Sequence, residues 1–320
     1  MDTLVDAFAQ AQQVLFEAVV QPVALWVGAD NLLEQAYEGT GWLLAGMLQI
    51  AIMLVLFAPL ERIKPVEHWA DRRAVRVDVI YTLIHRLGLF KLVMFFTLEN
   101  GLDQVWGWLR VQGVPTFHLD QIGPGVTDGA WTSFFLYLVV FDFLQYLIHR
   151  AQHQWAPWWA LHSLHHAQRQ MSMWSDNRNH LLDDVFTSLI FSVAAVVLGV
   201  APGQFVALVV LGQLSESFQH ANVRISFGAL GERLWVSPRF HRLHHSIGIG
   251  HETLLANKTV LGGCNFGVLL PVWDLLFRTA HFEDRFDATG VRDQVEDGRD
   301  YGSGFWAQQR LGLLRLIGRA

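Results

Sequence analysis

Cysteine is nearly absent: Cys264 is the only one in 320 residues, so no intrachain disulfide can form and no cysteine-based metal site can be built. Charge is scarce as well. Only 16% of the residues are charged, against about 25% in an average soluble domain. Lys and Arg are missing altogether from Met1 to Gly41, so the positive leader of a secretory signal is not there. No basic stripe appears and the formal charge is −6, which argues against a nucleic-acid partner. Linker-like Ser/Gly or Pro-rich runs and solenoid repeats are also lacking. What fills the chain is apolar: 52% hydrophobic residues, with 13 Trp and 22 Phe. That balance predicts a membrane protein with aromatic interfacial belts.

The apolar runs predict an all-α membrane helical bundle. Residues 14–27, with Glu17 and Pro22, read as an interfacial helix. Trp42 to Leu60 carries no charge and has the length a bilayer needs. A second span, about Val79 to Leu98, contains Arg86 and Lys91. A third runs from about Trp131 to Ile148 with Asp142 inside it, facing protein or water rather than lipid. Val185 to Leu214 is broken at Gly199–Gly203 and reads as a hairpin. Basic residues concentrate in 62–76, in 149–180 and after 215. The positive-inside rule then puts the N-terminus outside and those segments inside, in a bacterial inner membrane or the endoplasmic reticulum. Three regions are expected: 1–130 with the first spans, 131–290 as the catalytic domain, and 291–320 as a basic amphipathic tail lying on the membrane surface.

Fifteen histidines are present, and they cluster. His149 and His153 form HxxxH. His162, His165 and His166 form HxxHH, as do His241, His244 and His245; His180 and His220 stand alone. Positions i, i+3 and i+4 share one helical face, so three faces can converge on one pocket. About 0.03 HxxHH matches are expected by chance, which makes coincidence a poor account of two. Imidazole accommodates zinc, copper, iron and nickel. A structural zinc site closes with four ligands, so ten histidines suit a pair of ions better, with open positions for O2. A core or interface role is the expectation for His68, His85, His118 and His281. Asp142, Asp176, Asp183, Asp184, Glu216, Asn222 and Asn265 are candidates to orient ligand N–H groups, solvated charge being the bland alternative for the acids. Trp155, Trp158, Trp159 and Trp174 read as interfacial anchors or as walls of a lipid channel.

These motifs resemble the fatty acid hydroxylase / sterol desaturase superfamily of membrane di-iron oxygenases. The likeness runs in order from His149-Arg150-Ala151-Gln152-His153 through Trp159–His166, Asn177-Arg178-Asn179-His180, Phe218-Gln219-His220-Ala221-Asn222, His241–Ser246 and Asn265-Phe266-Gly267 to Trp273–Thr279. It departs at Leu181, where the family has Pro, at Arg278, where Gly is usual, and in a longer stretch between Ser246 and Asn265 that adds His251 as an outside candidate. The resemblance implies two iron ions on His149, His153, His162, His165, His166, His180, His220, His241, His244 and His245, with Asp176, Asp183, Asn222 and Asn265 behind them. It further implies O2 as co-substrate and hydroxylation of a lipid C–H bond. Electrons would come from a separate ferredoxin, cytochrome or reductase, since no flavin, haem or ferredoxin motif occurs here. Lipid, sterol or carotenoid desaturation is the near alternative; a non-enzymatic membrane metal protein is the distant one.

Overall fold

A computed structural model of the chain describes residues 2–115, 117–255 and 258–320. It is helical nearly throughout, with one two-stranded hairpin among the described residues. Three helical stretches are long and apolar enough to cross a membrane: Asp30–Ile63, Ala130–Gln154 and Leu181–Leu198. A fourth crossing is possible in the pair Arg72–Arg86 and Leu89–Leu98, bent by 52°, and Gly88 in a left-handed conformation supplies the break. Asp71 caps Arg72–Arg86 by accepting from the Arg73 and Ala74 amides. The first span starts earlier than its uncharged core suggested, because Glu34 and Glu38 are absorbed into its first turns.

The break at Gly199–Gly203 is a turn. Leu181–Leu198 ends on left-handed Gly199, and Pro202 opens Pro202–His220. Leu208 of this second arm packs with Tyr137, Leu138 and Phe141 of Ala130–Gln154. Gly46 marks the tightest helix crossing: a Cβ there would fall 1.6 Å from the Arg86 carbonyl oxygen, so only glycine lets these two backbones meet.

The buried charges of the spans are paired inside the protein. Arg86 donates to Asp176 at 2.7 Å and to Ser217 at 3.0 Å. Asp142 accepts from the Leu269 and Leu270 amides and from Trp273 Nε1, so it anchors the 266–270 segment against the third span. Arg278, at the position where the resembled family has Gly, is left-handed with φ 59° as it ends Val272–Phe277, the conformation glycine tolerates best. The additional stretch before Asn265 forms the antiparallel hairpin Glu252–Leu255 and Lys258–Leu261, with His251 at its root.

The tail corrects an expectation. Phe305–Leu316 docks into the protein instead of only resting on a membrane surface. Gln308, Gln309, Gly312 and Arg315 are buried while Trp306, Leu313 and Ile317 are exposed. The inward face is thus polar and the outward one apolar, because the partners inside are hydrogen-bonding groups. Gln309 Nε2 donates to the Tyr81 hydroxyl and the Asn179 carbonyl, and Gln309 Oε1 accepts from the Leu181 amide.

Candidate metal centre

Four helices end at one place. His149 and His153 occupy the last turns of Ala130–Gln154. Trp155 alone interrupts the helix, and Pro157 in the first turn of Ala156–His166 restarts it. The chain therefore folds back at once, and His162, His165 and His166 face the first pair. His220 is the last residue of Pro202–His220. Ser237 caps Pro238–His244 through the Phe240 amide, and this helix presents His241 and His244, with His245 directly after it. Helix C-termini carry partial negative charge and favour cations, so all four point their attractive ends at the same pocket.

Nine imidazoles meet there in two groups. The ligand atoms of His149, His153, His162 and His166 lie within 4.8 Å of one another, as do those of His165, His220, His241 and His245. His244 lies between, sharing a third set with His166 and His245 and standing 4.4 and 4.6 Å, ring to ring, from His149 and His153. All nine are buried.

The donor chemistry fits metal ions. His149, His162 and His244 donate from Nδ1 to the Phe266 carbonyl (2.9 Å), the Asp183 carboxylate (3.0 Å) and the Cys264 carbonyl (2.7 Å). In the neutral ring this leaves Nε2 as a bare lone pair, and Nε2 of His162 and His244 is buried without a partner. In the second group His220 donates from Nδ1 to the Glu216 carbonyl. Its Nε2 still lies 3.1 Å from His165 Nε2 and 3.0 Å from His241 Nε2. Nitrogens at right angles, each about 2.1 Å from one ion, stand about 3.0 Å apart. Burial first, then neighbouring imidazoles, holds His165, His166, His241, His244 and His245 well below the usual imidazole range. They are neutral at physiological pH, as metal ligands must be.

His180 is not brought to this pocket. Its Nδ1 caps Leu181–Leu198 by accepting from the Leu182 amide, and its Nε2 donates to the Gln309 carbonyl. Both nitrogens are thus engaged away from the cluster, against a helix whose Gly312 leaves room for the ring. His251, in contrast, enters: its Nε2 is 2.8 Å from His166 Nδ1, and Trp159 packs beside both rings.

Of the four supporting residues expected, only Asp183 touches a ligand ring. It also accepts from Gln152 and Trp158. Asp176 pairs with Arg86 and Ser217 instead. Asn222 fastens the Val66 and Glu67 amides and the Glu67 carbonyl. Asn265, left-handed at φ 57°, ties the Phe240 carbonyl to both backbone groups of His281. These three brace segments that carry ligands; the ring N–H acceptors are mostly carbonyls, which no residue pattern reveals. Asp184 pairs with His85 at 3.1 Å.

The centre is reached through two chambers. An outer one of about 280 Å³ lies among the apolar helices, walled by Phe90, Met94, Leu138, Phe141, Phe191, Phe205 and Leu208 among others. An inner one of about 100 Å³ is lined by His149, His162, His165, His220 and His241. They meet along Gln145, Asp176, Asn179, Asp184, Thr187, Glu216 and Val268.

Comparison with known proteins agrees with this geometry. The fatty acid hydroxylase family matches residues 134–279, a stretch holding all nine clustered histidines and His251. The chain is 29% identical over 163 residues to ornithine lipid hydroxylase OlsE of Rhizobium tropici, covering 50% of this chain and 46% of that protein. It is 26% identical over 160 residues to alkylglycerol monooxygenase of Caenorhabditis elegans (50% and 29%) and 28% identical over 168 residues to the human alkylglycerol monooxygenase (52% and 35%). The matched part thus spans less than half the length of each of these relatives. No solved structure matches the chain significantly. Through residues 134–279, with the histidine motifs in order and gathered at one pocket, the chain belongs to the fatty acid hydroxylase superfamily.

Proposed function

We propose that the protein is a membrane-bound di-iron oxygenase that hydroxylates a C–H bond of a lipid, using O2 and electrons from a separate ferredoxin, cytochrome or reductase. His149, His153, His162, His166 and His244 would hold one ion, and His165, His220, His241 and His245 the other. Bound iron would supply the oxidising power toward O2 that an unactivated C–H bond requires. One oxygen atom enters the lipid as a hydroxyl and the other leaves as water, with two electrons and two protons from the donor system. The protein's own part is to keep nine imidazoles neutral, shield them from bulk water, and lead a chain from the bilayer to them.

One observation carries this reading: a chamber open among membrane helices and lined by apolar side chains continues into the chamber lined by the histidines. A metal store has no need of such a passage. The relatives named as hydroxylase and monooxygenase favour hydroxylation over desaturation. The centre would face the cytoplasm. The basic 62–76 connection packs against the end of the His220 helix, where Asn222 binds the Val66 and Glu67 amides and the Arg224 amide donates to the Lys64 carbonyl. Lipid mass spectrometry of cells with and without the gene, combined with metal analysis of the purified protein, tests the proposal. The expected results are a lipid heavier by one oxygen and about two irons per chain. An unchanged lipid profile in iron-replete cells expressing the protein with its electron donor would refute it.

A further inference from the structure

The passage to the histidines is not apolar along its length. Six of the residues shared by the two chambers are polar: Gln145, Asp176, Asn179, Asp184, Thr187 and Glu216. The cationic and ring donors beside them are already engaged within the protein. Arg86 donates to Asp176, Ser217 and the Gln213 carbonyl, and His85 is held between Asp184 and the Tyr81 carbonyl. Acceptors, in contrast, remain. Glu216 receives one hydrogen bond, from Gln145 Nε2 to Oε1 at 3.2 Å, which leaves Oε2 without a donor among the described residues. Gln219 lines the inner chamber and is 1% exposed; its Nε2 donates to the Val268 carbonyl at 2.7 Å, so its other terminal atom is the acceptor Oε1, and that atom is buried with no partner.

An acyl segment threaded through this neck would strip water from these acceptors and return nothing, which is unfavourable. A group bearing N–H or O–H donors would satisfy them. We infer that the neck binds the headgroup of the lipid and that this headgroup carries hydrogen-bond donors such as ammonium, amide N–H or hydroxyl. Glu216 is then a specificity-determining residue, and the carbon oxidised lies in the headgroup or next to it, with the acyl chain left in the outer chamber. The inference rests on the oxygenase reading for its chemistry but not for its binding step.

The test uses full-length protein in nanodiscs, both metal-loaded and metal-free, and two matched probe pairs. One pair is hexadecylglycerol and its di-O-methyl ether; the other is the aminoethylamide of hexadecanoic acid and its N-permethylated form. Thermal-shift titration should show each donor-bearing probe binding at least about tenfold more tightly than its methylated partner. Glu216→Leu should erase that difference, and the isosteric Glu216→Gln should narrow it while guarding against a folding artefact. In turnover with reductant, fragmentation should locate the new hydroxyl at or beside the headgroup. Equal binding within both pairs, a preference that survives both Glu216 variants, or a hydroxyl far along the chain would overturn the inference. If discrimination holds while the loaded enzyme oxidises no probe, the headgroup site stands and the oxygenase reading falls.

Discussion

The two histidine groups have the same number of rings and different support. In the first, Nδ1 of His149 and His162 is fastened to the Phe266 carbonyl and the Asp183 carboxylate, His166 Nδ1 meets His251, and only His153 Nδ1 is left without a partner. In the second, His220 alone is fastened; Nδ1 of His165, His241 and His245 is buried and unpartnered. Such outer partners fix ring orientation and raise basicity. The first group is therefore shaped by the protein before any ion arrives. The second has its Nε2 atoms crowded at 3.0–3.1 Å with nothing but an ion to reconcile the lone pairs. One site is preorganised, and the other is completed by its metal.

The largest effect should come from removing a ring. His244→Ala and His165→Ala, one beside each group, should each abolish lipid oxidation while membrane insertion, followed by a fusion reporter, is unchanged. His68→Ala, at an exposed position, should retain activity. Normal turnover in both cluster variants would mean that neither group is the active site.

Next in size is Asp183→Asn. Losing the carboxylate that holds His162, Gln152 and Trp158 should weaken metal binding at the first group by about 10–100-fold. Competition with a calibrated chelator measures it. An unchanged affinity would remove the basis for calling the first group preorganised.

A gentler measurement bears directly on the contrast. Stepwise chelation of the wild-type protein should lower bound metal from about two ions to about one before the second is lost, with an affinity gap on the order of tenfold or more. The ion that remains should be the one Asp183→Asn weakens. Simultaneous loss, or early loss from the first group, would reverse the comparison.

The smallest effect is expected for His180→Ala. Metal content should not change, because this ring lies outside both groups. Stability in detergent should fall by about 1 kcal/mol, the usual loss for a helix N-cap, accompanied by loosening of the tail at Gln309. Loss of an ion would return His180 to the ligand set.

Local periodicity explains what could be read before folding. HxxxH and HxxHH name ligands because i, i+3 and i+4 share a helical face whatever the tertiary arrangement. Apolar runs name spans because a bilayer imposes length and composition. His180 and His251 carry no such pattern. Each is a single ring whose use depends on what a distant segment brings to it: Gln309 from the tail in one case, His166 in the other. The reading of Asp176, Asn222 and Asn265 as supports of ligand rings failed for a related reason. Proximity in the motif put them near the cluster, but backbone amides, carbonyls and Arg86 reached them first. The tail was legible as amphipathic, yet which face turned inward depended on hydrogen-bonding partners that only the packed helices supply.

The sequence by itself determined that this chain is a helical membrane protein with a histidine-rich metal centre, since short-range spacing and bulk polarity are enough to specify both. Tertiary structure decided how nine imidazoles divide into two groups, which carbonyls set their tautomers, and where an acceptor-lined neck interrupts the apolar passage. Those features arise from backbone atoms and from contacts between residues up to 117 positions apart, as between His149 and Phe266. A backbone carbonyl is the same atom at every residue, so only the fold can say which one a ring will meet.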